Sequence, residues 1–256
     1  MRSNPKADEK ISIKKVIFLL LFIVASIVIL NLHKPVPNAN NSSAKVTKYP
    51  TNSANSLWAV VNKGRALPDN YVPSPLVAPN VPLRLSKTDP EMLMRADAAS
   101  AFEKLVNGAK ADNLNLELGS GYRSFAAQKQ LYQYYVDNAG QEATDSASAR
   151  PGHSEHQTGL AVDVQSPDQP DCQIHQCFGD TPEGKWLAAN AYKYGFIIRY
   201  EKNKSSLTGF KYEPWHIRYV GTDLAAKIHK NDVTLEEYFN LPAYPDYPKD
   251  ILTLNP

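Results

Sequence analysis

His156 and Asp163 stand seven residues apart in His156-Gln-Thr-Gly-Leu-Ala-Val-Asp163, and His216 of Glu213-Pro-Trp-His216 follows Asp163 by 53 residues. Together the two segments supply two imidazoles, one ligand carboxylate and one spare carboxylate. That donor set suits a catalytic zinc site, which uses three protein ligands and leaves the fourth position to water, whereas a structural site is closed by four. The spacing restricts the fold. On one helix, residues seven apart lie about 10 Å from each other along the axis, yet ligand atoms sit only about 2 Å from zinc. The first segment is therefore not helical. Gly159 permits a turn, after which Leu160, Val162 and Val164 alternate with Ala161 and Asp163, placing the carboxylate on the polar face of a strand. His216 falls on a second strand, Trp215–Val220, and Pro214 holds Glu213 extended beside the ligands but outside their set.

The flanking sequence predicts mixed helix and strand. Asp89-Pro90-Glu91 offers an N-cap, a first-turn proline and an early acid for a helix running to about Ala111, with Met92, Met94, Ala99, Phe102, Leu105 and Val106 at broadly helical spacing. Leu114 to Leu118 alternates like a half-buried strand. Ser124 caps a second helix to about Val136, with Phe125, Leu131, Tyr134 and Tyr135 expected on its buried side. Pro182 and Gly195 bracket a third helix, Phe196–Tyr200 reads as a buried strand, and Thr234-x-x-Glu237 has the form of a capping box. Proline-punctuated Leu57–Leu85 is expected to wrap the domain in extended segments and turns. With no βαβ rhythm, internal repeat or phosphate-binding loop, the pattern predicts an α+β fold with a central antiparallel sheet flanked by helices.

With 256 residues, 43% of them hydrophobic, the chain can bury a full core, and its net charge of +2 gives no argument for nucleic acid. Val16–Leu32 is uncharged for seventeen residues, just long enough to span a bilayer core with help from its flanks. Arg2, Lys6, Lys10, Lys14 and Lys15 precede it against Asp8 and Glu9, which keeps the N-terminus cytoplasmic. No small-x-small cleavage site follows, so an uncleaved anchor is expected ahead of a removed signal peptide. The domain plan is a cytoplasmic tail over 1–15, a transmembrane anchor over 16–32, a polar flexible linker over 33–56 and an exported domain over 57–256. Cys172 and Cys177 lie in that exported part, where an oxidising compartment favours a disulfide worth about 2 kcal/mol. The alternative is a second metal site with His175 between them, for which a fourth ligand is not evident.

A His-x6-Asp spacing by itself is commonly a chance cluster of ordinary polar residues. Here it occurs with Glu-x-x-His and, upstream, with Arg123 and Gln128 in a helix-initiating turn. The runs Ser120-Gly-Tyr-Arg-Ser124 with Gln128, Ser154-Glu-His-Gln-Thr-Gly-Leu-Ala-Val-Asp163 and Glu213-Pro-Trp-His-Ile-Arg-Tyr-Val-Gly221 resemble the zinc D-alanyl-D-alanine carboxypeptidases of VanY type. The likeness covers roughly Leu57 to Phe239 and includes Val61-Asn-Lys and Leu67-Pro-x-x-Tyr71. It implies the small α+β zinc-peptidase fold shared with lysostaphin-related and hedgehog-like domains.

Carried over residue by residue, the resemblance implies His156, Asp163 and His216 as ligands of one Zn2+, Glu213 as general base and Arg123 as the positive group over a developing oxyanion. It also implies Gln128, Ser154 and Tyr122 as residues near the substrate. Each main role has a physical warrant: a carboxylate near a water of lowered pKa can take its proton, and a directed guanidinium binds a carbonyl oxygen more strongly as charge builds. The expected activity is removal of the C-terminal D-alanine from peptidoglycan stem peptides at the outer face of the membrane. Alternatives are an L,D-carboxypeptidase acting on tetrapeptide stems, an endopeptidase with a cleft open at both ends, and a zinc-containing wall-binding module without turnover. A binder has no need of both Glu213 and Arg123.

Overall fold

The structure, a computed structural model, describes residues 49–256. The tail, the apolar run 16–32 and the first part of the expected linker, 33–48, lie outside the described residues. Among the described residues no helix is long and apolar enough to cross a membrane.

Eight strands are present in this region: β1 (Arg65–Ala66), β2 (Leu76–Val77), β3 (Met94–Arg95), β4 (Glu117–Ser120), β5 (Ala161–Gln165), β6 (Phe196–Tyr200), β7 (Glu213–Tyr219) and β8 (Leu252–Thr253). The central sheet has the order β4-β5-β7-β6, and every neighbouring pair is antiparallel. The expected α+β class with an antiparallel sheet is what the chain adopts. Val162 and Val164 of β5 join a core with Leu118, Phe196 and Ile217 and with Phe102, Leu105 and Val106 of helix α1 (Ala96–Ala111). Asp163 alternates away from that core, as a period-2 strand requires.

A second apolar cluster seats Leu224, Ala225 and Ile228 of a later helix, Thr222–Asn231, against Val60, Val220 and Phe239. A third joins Ala54, Ala59, Val61 and Leu67 to Leu254 at the opposite end of the chain. The two ends of the described region are zipped together: β1 pairs with β8 in parallel, and Ala54 N–H donates to the Asn255 carbonyl at 2.6 Å. The folded region thus reaches back to Tyr49, since Tyr49, Thr51, Ala54 and Ser56 are all buried. The end of the segment expected as flexible linker is docked on the domain.

Two local expectations are corrected. The single helix expected from Asp89 to Ala111 is three elements: a 3-10 turn at Pro90–Met92 capped by Asp89, the strand β3, and α1. The break arises because the carbonyls of Glu91 and Leu93 accept from the N–H groups of Gly121 and Tyr122, so they cannot serve a continuous helix. The second helix, α2 (Phe125–Ala139), is capped by the Ser124 hydroxyl, which accepts from Ala127 N–H, as expected. Its face is otherwise: Tyr134 is 62% and Tyr135 42% exposed, and Gln128 is its buried residue. The helix forms a wall of the cleft, to which Leu131, Tyr135 and Ala139 contribute.

Candidate active site

The site is written in the register of the sheet. Asp163 on β5 stands directly opposite His216 on β7, and Ser120 on β4 pairs with Asp163 from the other side. His156 arrives from a 3-10 turn, Glu155–Thr158, closed by Gly159 in the left-handed region at φ 66°, a conformation glycine adopts without steric cost. The predicted turn-then-strand path is therefore the one the chain takes.

His156, Asp163 and His216 are all buried, and one ligand atom from each lies within 4.8 Å of the others. His156 Nε2 is 3.3 Å from Asp163 Oδ2, and His216 Nδ1 is 3.1 Å from Asp163 Oδ1. The imidazoles meet edge to face, centroids 5.0 Å apart. His156 Nδ1 lies 2.6 Å from the Gly121 carbonyl; an N–H placed there donates outward and leaves the Nε2 lone pair facing Asp163. Two imidazole nitrogens and a carboxylate oxygen, mutually close and buried, fit a divalent metal of the zinc type.

Glu213, at the start of β7, brings Oε2 to 3.9 Å from His216 Nδ1. Burial pushes its carboxyl up to about 8, against the pull of His216. Burial disfavours charge on His216 as well, but the hydrogen bond to Asp163 and the nearby Glu155 carboxylate outweigh it and hold the imidazole up at about 9. Burial lowers His156. Asp163 is held below the usual carboxylate range, because the two histidines outweigh its burial.

Arg123 begins the turn into α2 and is fixed by three acceptors. Its Nη2 donates to Ser120 Oγ at 2.7 Å, its Nη1 to Gln128 Oε1 at 3.1 Å, and its Nε lies 3.5 Å from Glu91 Oε1. Gln128 in turn donates to the Ala149 carbonyl at 2.7 Å. Arg123, Gln128, Ser154, Glu213 and the three candidate ligands all line one cleft of about 820 Å³. Tyr122 is not brought to it: its ring is buried and does not line the cleft. Cys172 and Cys177 form a disulfide, and Gln173, Ile174 and Gln176 of the loop it closes line the cleft.

Sequence reasoning missed Glu155 and its partners. The Glu155 side chain is fully buried; its Oε1 accepts from Arg199 Nε at 2.8 Å and Arg218 Nη1 at 2.7 Å, and Arg199 also donates to both oxygens of Glu236. The available signal was Arg199 itself, a charge inside the apolar run Phe196–Tyr200, which requires a buried partner. Arg218 is fully buried in the same network. His153 is buried, with Nδ1 2.8 Å from the Asn62 carbonyl, and His229 stacks on Tyr192.

Fold and site together have the form of a metal-dependent hydrolase: an antiparallel sheet carrying a His-Asp-His cluster able to hold a metal, a neighbouring acid and a clamped arginine in one cleft. The VanY family, described as D-alanyl-D-alanine carboxypeptidase, matches residues 91–222, and the chain belongs to that family. YodJ of Bacillus subtilis is 46% identical over 184 residues, covering 72% of this chain and 67% of YodJ. Among solved structures, the LdcB LD-carboxypeptidase superposes with a TM-score of 0.70 at 42% identity, covering 78% of this chain and 89% of LdcB. The vancomycin-resistance D,D-pentapeptidase VanY of a VanB-type cassette, solved in complex with Zn(II), gives 0.58 at 31% identity, covering 71% of this chain and 97% of that one.

Proposed function

We propose that this chain is a zinc-dependent D,D-carboxypeptidase that removes the C-terminal D-alanine from peptidoglycan stem peptides. The observation that carries the reading is the convergence of His156, Asp163 and His216 within 4.8 Å, with Glu213 and Arg123 in the same cleft. His156, Asp163 and His216 would hold the metal. The chemistry zinc supplies in such a site is polarisation of a carbonyl and a lowered pKa for water.

Glu213 is the chain's own proton carrier. Its carboxylate faces the cleft beside His216 and takes a proton from the attacking water at Oε2, then passes it to the leaving amine. Burial favours the protonated form of Glu213, which suits delivery of the proton to the leaving amine, while a bound dication beside it would favour the carboxylate that accepts a proton from water. Arg123 offers donors already oriented by Ser120, Gln128 and Glu91, so little reorganisation is needed as the carbonyl oxygen gains charge. Gln128 and Ser154 line the same cleft and position the peptide.

A second reading, an L,D-carboxypeptidase acting on tetrapeptide stems, is favoured by one observation: the likeness to LdcB exceeds that to VanY in identity and TM-score. Incubating the zinc-loaded protein with pentapeptide and tetrapeptide stems and weighing the products separates the two. Loss of one alanine from the pentapeptide is expected under the first reading; loss only from the tetrapeptide selects the second, and loss from neither ends both.

The anchor belongs to the same proposal. The uncharged Val16–Leu32 run and the basic residues before it support a single-pass membrane protein with a cytoplasmic N-terminus and the cleft outside. Full-length chain is expected in the membrane fraction, with the domain open to external protease; recovery in the soluble fraction would end this part of the reading.

A further inference from the structure

Glu155 is a charged side chain that the chemistry above does not use, yet its place is over-determined. Oε1 is held by Arg199 and Arg218 at 2.8 and 2.7 Å. Arg199 is fixed by Glu236 at 2.9 and 2.6 Å, and Asn62 Nδ2 donates to Glu236 at 2.9 Å. Arg218 donates to the carbonyls of Leu57 and Ala59. The second oxygen, Oε2, is buried without a hydrogen-bond partner, and so is His216 Nε2. These two orphaned atoms face each other at 3.6 Å.

An unpaired carboxylate oxygen in a buried site is costly, and balance of the two arginine charges does not explain where it points. The pairing is explained by the other side of the ring. His216 Nδ1 faces Asp163 and the metal cluster; an imidazole that gives its Nδ1 lone pair to a metal carries its proton on Nε2, and that proton needs an acceptor.

We propose that Glu155 is a positioning residue: its Oε2 accepts the Nε2 proton of His216, fixing the tautomer and ring angle that turn Nδ1 toward the metal. The inference rests on the zinc reading above. Through Arg199 and Arg218 the aim of His216 is tied to β6, β7, the N-terminal wrap and Glu236, so one ligand is set by contacts from across the fold.

The test compares Glu155→Gln with Glu236→Gln in the full-length chain. Both remove a charge from the same buried network, but only the first touches His216. Zinc affinity measured by chelator competition is expected to fall about 10- to 100-fold in Glu155→Gln, with Glu236→Gln within a few-fold of the parent. Parental affinity in Glu155→Gln, or equal loss in both variants, overturns the proposal. A parent chain that binds no zinc overturns the metal reading itself, which keeps the two failures distinct. A second measurement needs no variant: in zinc-loaded parent protein carrying ¹⁵N-histidine, His216 is expected to be protonated on Nε2 and metal-shifted on Nδ1. A proton on Nδ1 instead overturns the proposal even if Glu155→Gln fails to fold.

Discussion

Glu213 and His216 are three residues apart on one strand, and in the metal-free protein both hold a proton at neutral pH, for different reasons. Burial raises Glu213 to about 8; for His216 burial opposes charging, but Asp163 and Glu155 hold the ring up at about 9. A raised histidine stabilises the metal-free fold fully below its unfolded value near 6.5, and that contribution is lost as pH rises through about 9. A metal competes with that proton. Apparent zinc affinity is therefore expected to climb between pH 6 and pH 8, about tenfold per unit for each proton displaced, and calorimetry in buffers of different ionisation heat should register proton release. Affinity flat across that range would remove His216 from the ligand set. Glu213→Ala is expected to keep zinc within a few-fold while turnover falls about 10²- to 10⁴-fold, checked by metal content alongside product mass; unchanged turnover would deprive Glu213 of its role.

At the scale of elements, signals confined to a few residues were legible and those set from a distance were not. The Ser124 cap, the Thr234 capping box, the Gly159 turn and the alternation that sends Leu160, Val162 and Val164 but not Asp163 into the core each depend on neighbours in sequence, and each is formed. Ser124→Ala is expected to cost about 1 kcal/mol in chemical denaturation; because the helix it starts follows Arg123 directly, the same change should also lower turnover measurably. The split of the Asp89–Ala111 segment was not legible, since Gly121 and Tyr122, some thirty residues on, take the carbonyls a continuous helix would have used. Helical spacing of apolar residues likewise misread α2, where Tyr135 lines the cleft and Tyr134 is exposed rather than packed in a core.

Over the whole molecule, the metal cluster could be anticipated because its chemistry restricts it to few residue types, whereas its supports could not. Arg199, Arg218, Glu155 and Glu236 come from four separate stretches of chain, and nothing in their individual spacing reports that they meet. Closure of the domain by its own C-terminus was equally hidden: Leu254 is buried with Ala54 and Leu67. Leu254→Ala is expected to destabilise by about 2–5 kcal/mol, read as a fall in thermal midpoint of roughly 4–20 °C; a shift under 2 °C would mean that the third cluster contributes little.

That closure also bears on mechanics. Ala54 bonds to Asn255, and Asn255 bonds back to Asn52, so the leading and trailing threads of the domain are laced to each other. Tension applied to the domain at Tyr49 would load this lacing before the strands that carry Asp163 and His216.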